Sequence, residues 1–109
     1  VAYKVLSYLY ACLKAGAVPS EAKAREVSRV GDVYFYAVLS SLQEKGLIGP
    51  VREFRDAGGD VVGMAGALSI TMDGAAYLRD NAAMRRVCRF LGPAFAAVLE
   101  AAVRSTMAL

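Results

Sequence analysis

Apolar residues recur at helical spacing from the start of the chain. Val5, Leu9, Cys12 and Leu13 share one stripe, and Lys4 and Lys14 lie off it. This predicts a first helix over Val1–Ala15, ended by Gly16. Ala17-Val18-Pro19 reads as extended, because proline disfavours helix in the residue before it. Ser20 is a suitable N-cap for a short second helix through Ser28, with Ala24 and Val27 facing inward. Gly31 makes a turn, and Asp32 is placed as the cap of a third helix through Lys45. Phe35, Val38, Leu39 and Leu42 form its inner face, and Gly46 closes it. Two short helices joined by a tight glycine turn outline a helix-turn-helix.

The period then changes. "GPVREFRDAGGDVVGMAGALSIT" reads as two strands around Asp56-Ala57-Gly58-Gly59-Asp60, whose glycines supply the backbone angles of a hairpin. A hairpin directly after the third helix is a wing. Thr71 opens a fourth helix as its cap, and Asp73 suits the positive end of that helix. Tyr77, Met84, Cys88 and Leu91 follow one stripe, with Arg85, Arg86 and Arg89 pointing elsewhere. Gly92-Pro93 breaks this helix, and a last one over Ala94–Met107 gathers Phe95, Val98, Leu99, Ala102 and Val103 on one side. The expected fold class is therefore α+β, mainly helical: a winged helix-turn-helix with one hairpin and additional C-terminal helices. Residues 1–109 form a single domain in this reading, with 1–72 as helix-turn-helix plus wing and 73–109 as a helical extension.

Composition narrows the class without changing the fold. Of the 109 residues 57% are hydrophobic, much of it alanine, which favours helix and adds little core volume. No run reaches the roughly 18 apolar residues that would span a bilayer, and no signal-peptide pattern opens the chain, so a soluble, cytoplasmic protein is expected. The two cysteines, Cys12 and Cys88, both fall on apolar stripes and are expected to be reduced and buried.

Three stretches carry a likeness to known proteins: "YKVLSYLYACLKAG", "LQEKGLIGPV" and "LSITMDGAAYLRDNAAM". In the last, Ile70, Thr71, Gly74, Tyr77, Leu78, Asn81 and Met84 stand in the register of the YjcQ-like family, small winged-helix proteins of bacteria, prophages and phages. The chain resembles that family from about Tyr3 to Leu91. The resemblance implies a winged helix and a role in prophage biology, as a DNA-binding protein or within a phage particle. It brings no catalytic residues with it.

The residues themselves argue against an enzyme. The chain has no histidine, the commonest general base and metal ligand. Its cysteines are too far apart in sequence for a zinc motif, Ser40 and Ser41 have no evident base, and the pairs Asp73 with Asp80 and Glu53 with Asp56 read as solvated surface. Thr71–Gly74 has one glycine and no lysine, so it reads as a capped helix start rather than a phosphate loop. No cofactor or metal is expected.

Two binding roles remain. Net charge is +3, which permits contact with double-stranded DNA. The third helix would meet base edges with Asp32, Val33, Tyr34, Tyr36, Ala37, Ser40 and Ser41, and none of these is basic. Phosphate contacts would come from Lys23, Arg25 and Arg29 on the second helix and from Arg52 and Arg55 in the hairpin. A DNA-binding regulator is the first expectation, and a phage or prophage protein-interaction module that does not bind DNA is the second. Tyr34 and Tyr36 suit a phage or host protein as well as they suit bases. A homodimer through the C-terminal helix is a further expectation, using Phe95, Val98, Leu99, Ala102 and Val103 with Tyr8 and Tyr10. No membrane contact is expected.

Overall fold

Three helices, a hairpin and two more helices follow one another along the chain. The structure is a computed structural model that describes residues 1–65 and 68–107. Helix α1 spans Ala2–Ala15, α2 Glu21–Ser28 and α3 Asp32–Glu44. Strands β1 (Arg52–Arg55) and β2 (Val61–Ala65) form the hairpin, and α4 (Met72–Asp80) and α5 (Ala82–Met107) complete the chain. The remainder of the expected second strand, at 66–67, lies outside the described residues. This is an α+β winged-helix architecture, mainly helical with one antiparallel hairpin.

The core sits where α1, α2, α3 and the base of the hairpin meet. Val5, Leu6, Tyr8, Leu9 and Cys12 of α1 pack with Ala24 and Val27 of α2 and with Phe35, Tyr36, Leu39 and Leu42 of α3. Leu13 departs from the expected stripe and is largely exposed. It lies on the flank of that stripe, about 80° from Val5 at 100° per residue, in the last turn of the helix. Gly16 ends α1 in the left-handed conformation at φ 72°, donating its N–H to the carbonyls of Cys12 and Leu13.

The hairpin pairs Arg52 with Ala65, Glu53 with Met64 and Phe54 with Gly63. Arg55 then pairs with Val61, so Val62 is the extra residue of a bulge. Asp56 builds the tip: its carboxylate accepts the N–H groups of Gly58 and Asp60, each at 3.0 Å. A lone bridge between Ile48 and Ile70 draws the two ends of the hairpin segment together below it.

Thr71 caps α4 as expected, accepting the N–H of Gly74 at 2.9 Å. The same hydroxyl donates to the carbonyl of Gly46 at 2.7 Å, so the cap also ties α4 to the end of α3. A Cβ at Gly74 would overlap the Leu47 carbonyl. The glycine is there for a close approach of backbones, and the phosphate-loop reading is not needed.

Two expectations about the later helices are corrected. The helix that starts at Met72 does not run to Leu91; it stops at Asp80 because Asn81 leaves the helical conformation at ψ 130°. The Asn81 side chain then caps α5, accepting N–H groups of Ala83 at 2.9 Å and Met84 at 3.2 Å. The stripe drawn through Tyr77, Met84, Cys88 and Leu91 is thereby interrupted, and Cys88 is exposed while Cys12 is buried. The expected break at Gly92 is present as a sharp bend inside α5, with Gly92 at φ 62° and ψ −158° and Pro93 starting the next turn. The bend returns the chain onto α1, where the ring of Phe95 lies 5.8 Å from that of Tyr3.

Candidate functional site

The end of α2 and the start of α3 are tied by charge. Arg25 donates to Asp32 at 2.9 Å, and its guanidinium lies 5.9 Å from the centre of the Phe35 ring. Asp32 is therefore not the cap of α3. Gly31 holds that position, and the carboxylate turns aside to the arginine. Lys23 pairs with Glu26 at 3.4 Å. In the hairpin Arg55 donates to Glu53 at 2.7 Å and to the Gly59 carbonyl at 2.7 Å. Arg29, left-handed at φ 57°, and Arg52 are exposed and make no ion pair among the described residues.

The tyrosines separate. Tyr34 is 58% exposed, whereas Tyr36 is buried against Phe35 and cannot reach a base edge. The nearby Glu21 carboxylate, with burial, raises the pKa of the Tyr36 phenol. Ser40 is half-buried. Across α2, α3 with their C-caps, and the hairpin, the six cations Lys23, Arg25, Arg29, Lys45, Arg52 and Arg55 stand against seven carboxylates, Glu21, Glu26, Asp32, Glu44, Glu53, Asp56 and Asp60. The helix-turn-helix face is not electropositive.

A groove of about 340 Å³ lies beside the outer face of α3, lined by Tyr34, Ala37, Val38, Ser41, Lys45 and Tyr77 among others. Val33, one residue before Tyr34, is 66% exposed. Ala37 and Tyr34 were legible as outward positions of α3. The wall contributed by Tyr77 was not, because it depends on how α4 folds back.

The residues proposed for a dimer surface do not stay together. Tyr8 and Phe95 are buried in this domain's own core and are unavailable to a partner. Tyr10, Leu99, Ala102 and Val103 are half-buried, and Leu99, Ala102 and Val103 pack against that core. Val98 is exposed. Tyr10 carries the Lys14 ammonium 4.7 Å above its ring.

Among the described residues no group of three or more cysteine, aspartate or glutamate side chains is placed to hold a metal ion, and no helix is long and apolar enough to cross a membrane. A family model described as YjcQ protein matches residues 3–92. The matched segment ends at the glycine of the α5 bend, so Phe95, Leu99 and Thr106 lie beyond it. No curated protein and no solved structure matches the chain.

Proposed function

The chain belongs to the YjcQ family, and we propose that it is a non-catalytic winged-helix module that binds a protein through the outer face of α3. The observation that carries this is the uncovered Val33 and Tyr34 on α3, in a helix-turn-helix and hairpin whose seven carboxylates outnumber their six cations. A duplex-binding surface needs several cations free for phosphates. Three of the six, Lys23, Arg25 and Arg55, are already engaged by carboxylates. An apolar strip with one large aromatic and a polar rim is what a protein contact uses. The resemblance to a family of bacteria, prophages and phages supports a phage or host protein as the occupant.

Duplex DNA is the second reading, supported by Arg29 at the end of α2 and Arg52 at the base of the hairpin. Surface ion pairs contribute only about 0–1 kcal/mol, so Arg25, Lys23 and Arg55 could exchange their partners for phosphates. Titration with duplex DNA at falling salt separates the two. The protein reading expects no binding at low salt, and a cross-linkable residue in place of Tyr34 to trap a discrete protein species in the native cell. Binding that weakens steeply with salt and is lost in the Arg29→Ala, Arg52→Ala variant overturns it in favour of DNA.

A further inference from the structure

The positive charge of this chain gathers away from the helix-turn-helix. Residues 78–91 hold Arg79, Arg85, Arg86 and Arg89 against one carboxylate, Asp80, a net +3 that equals the charge of the whole chain. Asp80 occupies Arg79 at 2.9 Å. Arg85, Arg86 and Arg89 are exposed and make no ion pair among the described residues. Three like charges within five residues of one helix repel one another, and the nearby counter-charge, Asp80, is already paired with Arg79.

The fold also gives this charge a concave setting. The break at Asn81 and the bend at Gly92 bring the chain back beside α1 and leave an open groove of about 430 Å³. Tyr3, Tyr10, Lys14, Arg79, Arg85 and Arg89 line it, and no carboxylate does. The tyrosines offer ring surface beside the cations, one face of Tyr10 lying under the Lys14 ammonium. Tyr3 is held by its contact with Phe95, and its phenol is a neutral donor at neutral pH, as an ordinary tyrosine is. The groove's volume falls within the range of about 300–1,000 Å³ usual for small-ligand sites.

We propose that this groove binds a nucleoside phosphate, with the phosphate on Arg85 and Arg89 and the base against the tyrosine rings. Guanidinium groups bind phosphate oxygens in a two-pronged geometry, and aromatic side chains hold a base by its face. A bare phosphate would leave most of the groove and both rings unused. The site lies on α1, α4 and α5, so it does not rest on the protein-partner reading of α3.

The test is calorimetric titration of the full chain at low salt with AMP, adenosine and inorganic phosphate. AMP is expected to bind more tightly than either fragment. The Arg85→Ala, Arg89→Ala variant, with its fold checked by circular dichroism, is expected to weaken AMP binding by at least about ten-fold, the effect of losing roughly 1.4 kcal/mol. A short single-stranded oligonucleotide in the same assay distinguishes the source. If it competes with AMP and binds more tightly, the phosphate belongs to a strand; otherwise it belongs to a free nucleotide. No AMP binding at about 1 mM, where a dissociation constant of that order corresponds to only ~4 kcal/mol, overturns the proposal. So does AMP binding that equals that of phosphate alone or persists unchanged in the double variant.

Discussion

Tyr8 and Thr106 are 98 positions apart in the chain, and their hydroxyl oxygens lie 2.6 Å apart. The direction of this bond follows from its neighbours. Thr106 donates its proton to the Ala102 carbonyl at 2.9 Å, so the Tyr8 hydroxyl is the donor between the two. The Tyr8 oxygen also accepts the N–H of Ser20 at 3.1 Å, at the N-cap of α2. One phenol in the core thus joins the first helix, the start of the second and the end of the last.

Replacing that phenol by Phe keeps the apolar ring and removes the shared oxygen. Tyr8→Phe leaves the Ser20 N–H without its partner and removes the bond that Thr106 accepts, while Thr106 keeps its bond to Ala102, for an expected loss of about 1–2 kcal/mol. Urea denaturation should give a lower midpoint with an unchanged slope. A loss near zero would mean that the last turns of α5 are not docked on α1.

Alkaline pH acts on the same group. Burial raises the Tyr8 pKa above its ordinary 10.0, and burial likewise raises Tyr3 above 10.0 and Cys12 above 9.0. Each group holds its proton more tightly folded than unfolded. Its contribution is therefore complete below the unfolded value and is lost as pH rises through the folded one. Stability should be flat with respect to these groups up to about pH 9 and then fall. Cys12→Ala should move the onset toward pH 10, and Tyr8→Phe should make the later fall shallower. Urea midpoints measured across this range check both. A midpoint that rises with pH in that window would refute the assignment.

Gly74 and Thr71 perform different tasks in one turn, and the two substitutions should differ in size. Thr71→Ala removes the cap and the bond to Gly46, for about 1–2 kcal/mol. Gly74→Ala puts a Cβ into the Leu47 carbonyl, which is backbone and cannot rotate away. The first turn of α4 must shift, and a loss of about 3 kcal/mol or more is expected. Comparable losses for the two variants would show that α4 has room to move.

What the sequence disclosed follows from where each signal originates. Caps, glycine turns and the wing are local, so Ser20, Thr71, Gly16 and Asp56–Asp60 were legible as written. Asn81 is also a local cap signal, but it lies inside an apolar periodicity that runs on past it, and the longer pattern masked the break. The candidate surfaces were less legible. The sequence places Tyr34 and Tyr36 on one helix but not the turn of Tyr36 toward Glu21 and Phe35. Nor does it contain the pairing of Arg25 with Asp32, or the placing of Arg85 and Arg89 beside Tyr3 and Tyr10. Those depend on how α2 meets α3 and how α5 bends back on α1.

The bend itself gives the last prediction. Gly92 has φ 62° and ψ −158°, a region that glycine alone enters readily. Gly92→Ala can keep the bend and accept strain of about 1–3 kcal/mol. It can instead straighten α5, which would withdraw Phe95 from the core. Phe95 is 8% exposed, and losing a buried phenylalanine costs about 3–5 kcal/mol. Strain is the smaller loss, so the bend should persist in the variant, with an expected destabilisation of about 1–3 kcal/mol. A double-mutant cycle with Phe95→Ala decides between the two. If the bend persists, the two losses should add to within about 0.5 kcal/mol. If α5 straightens, Phe95 is already out of the core, and its removal should cost the Gly92→Ala background almost nothing.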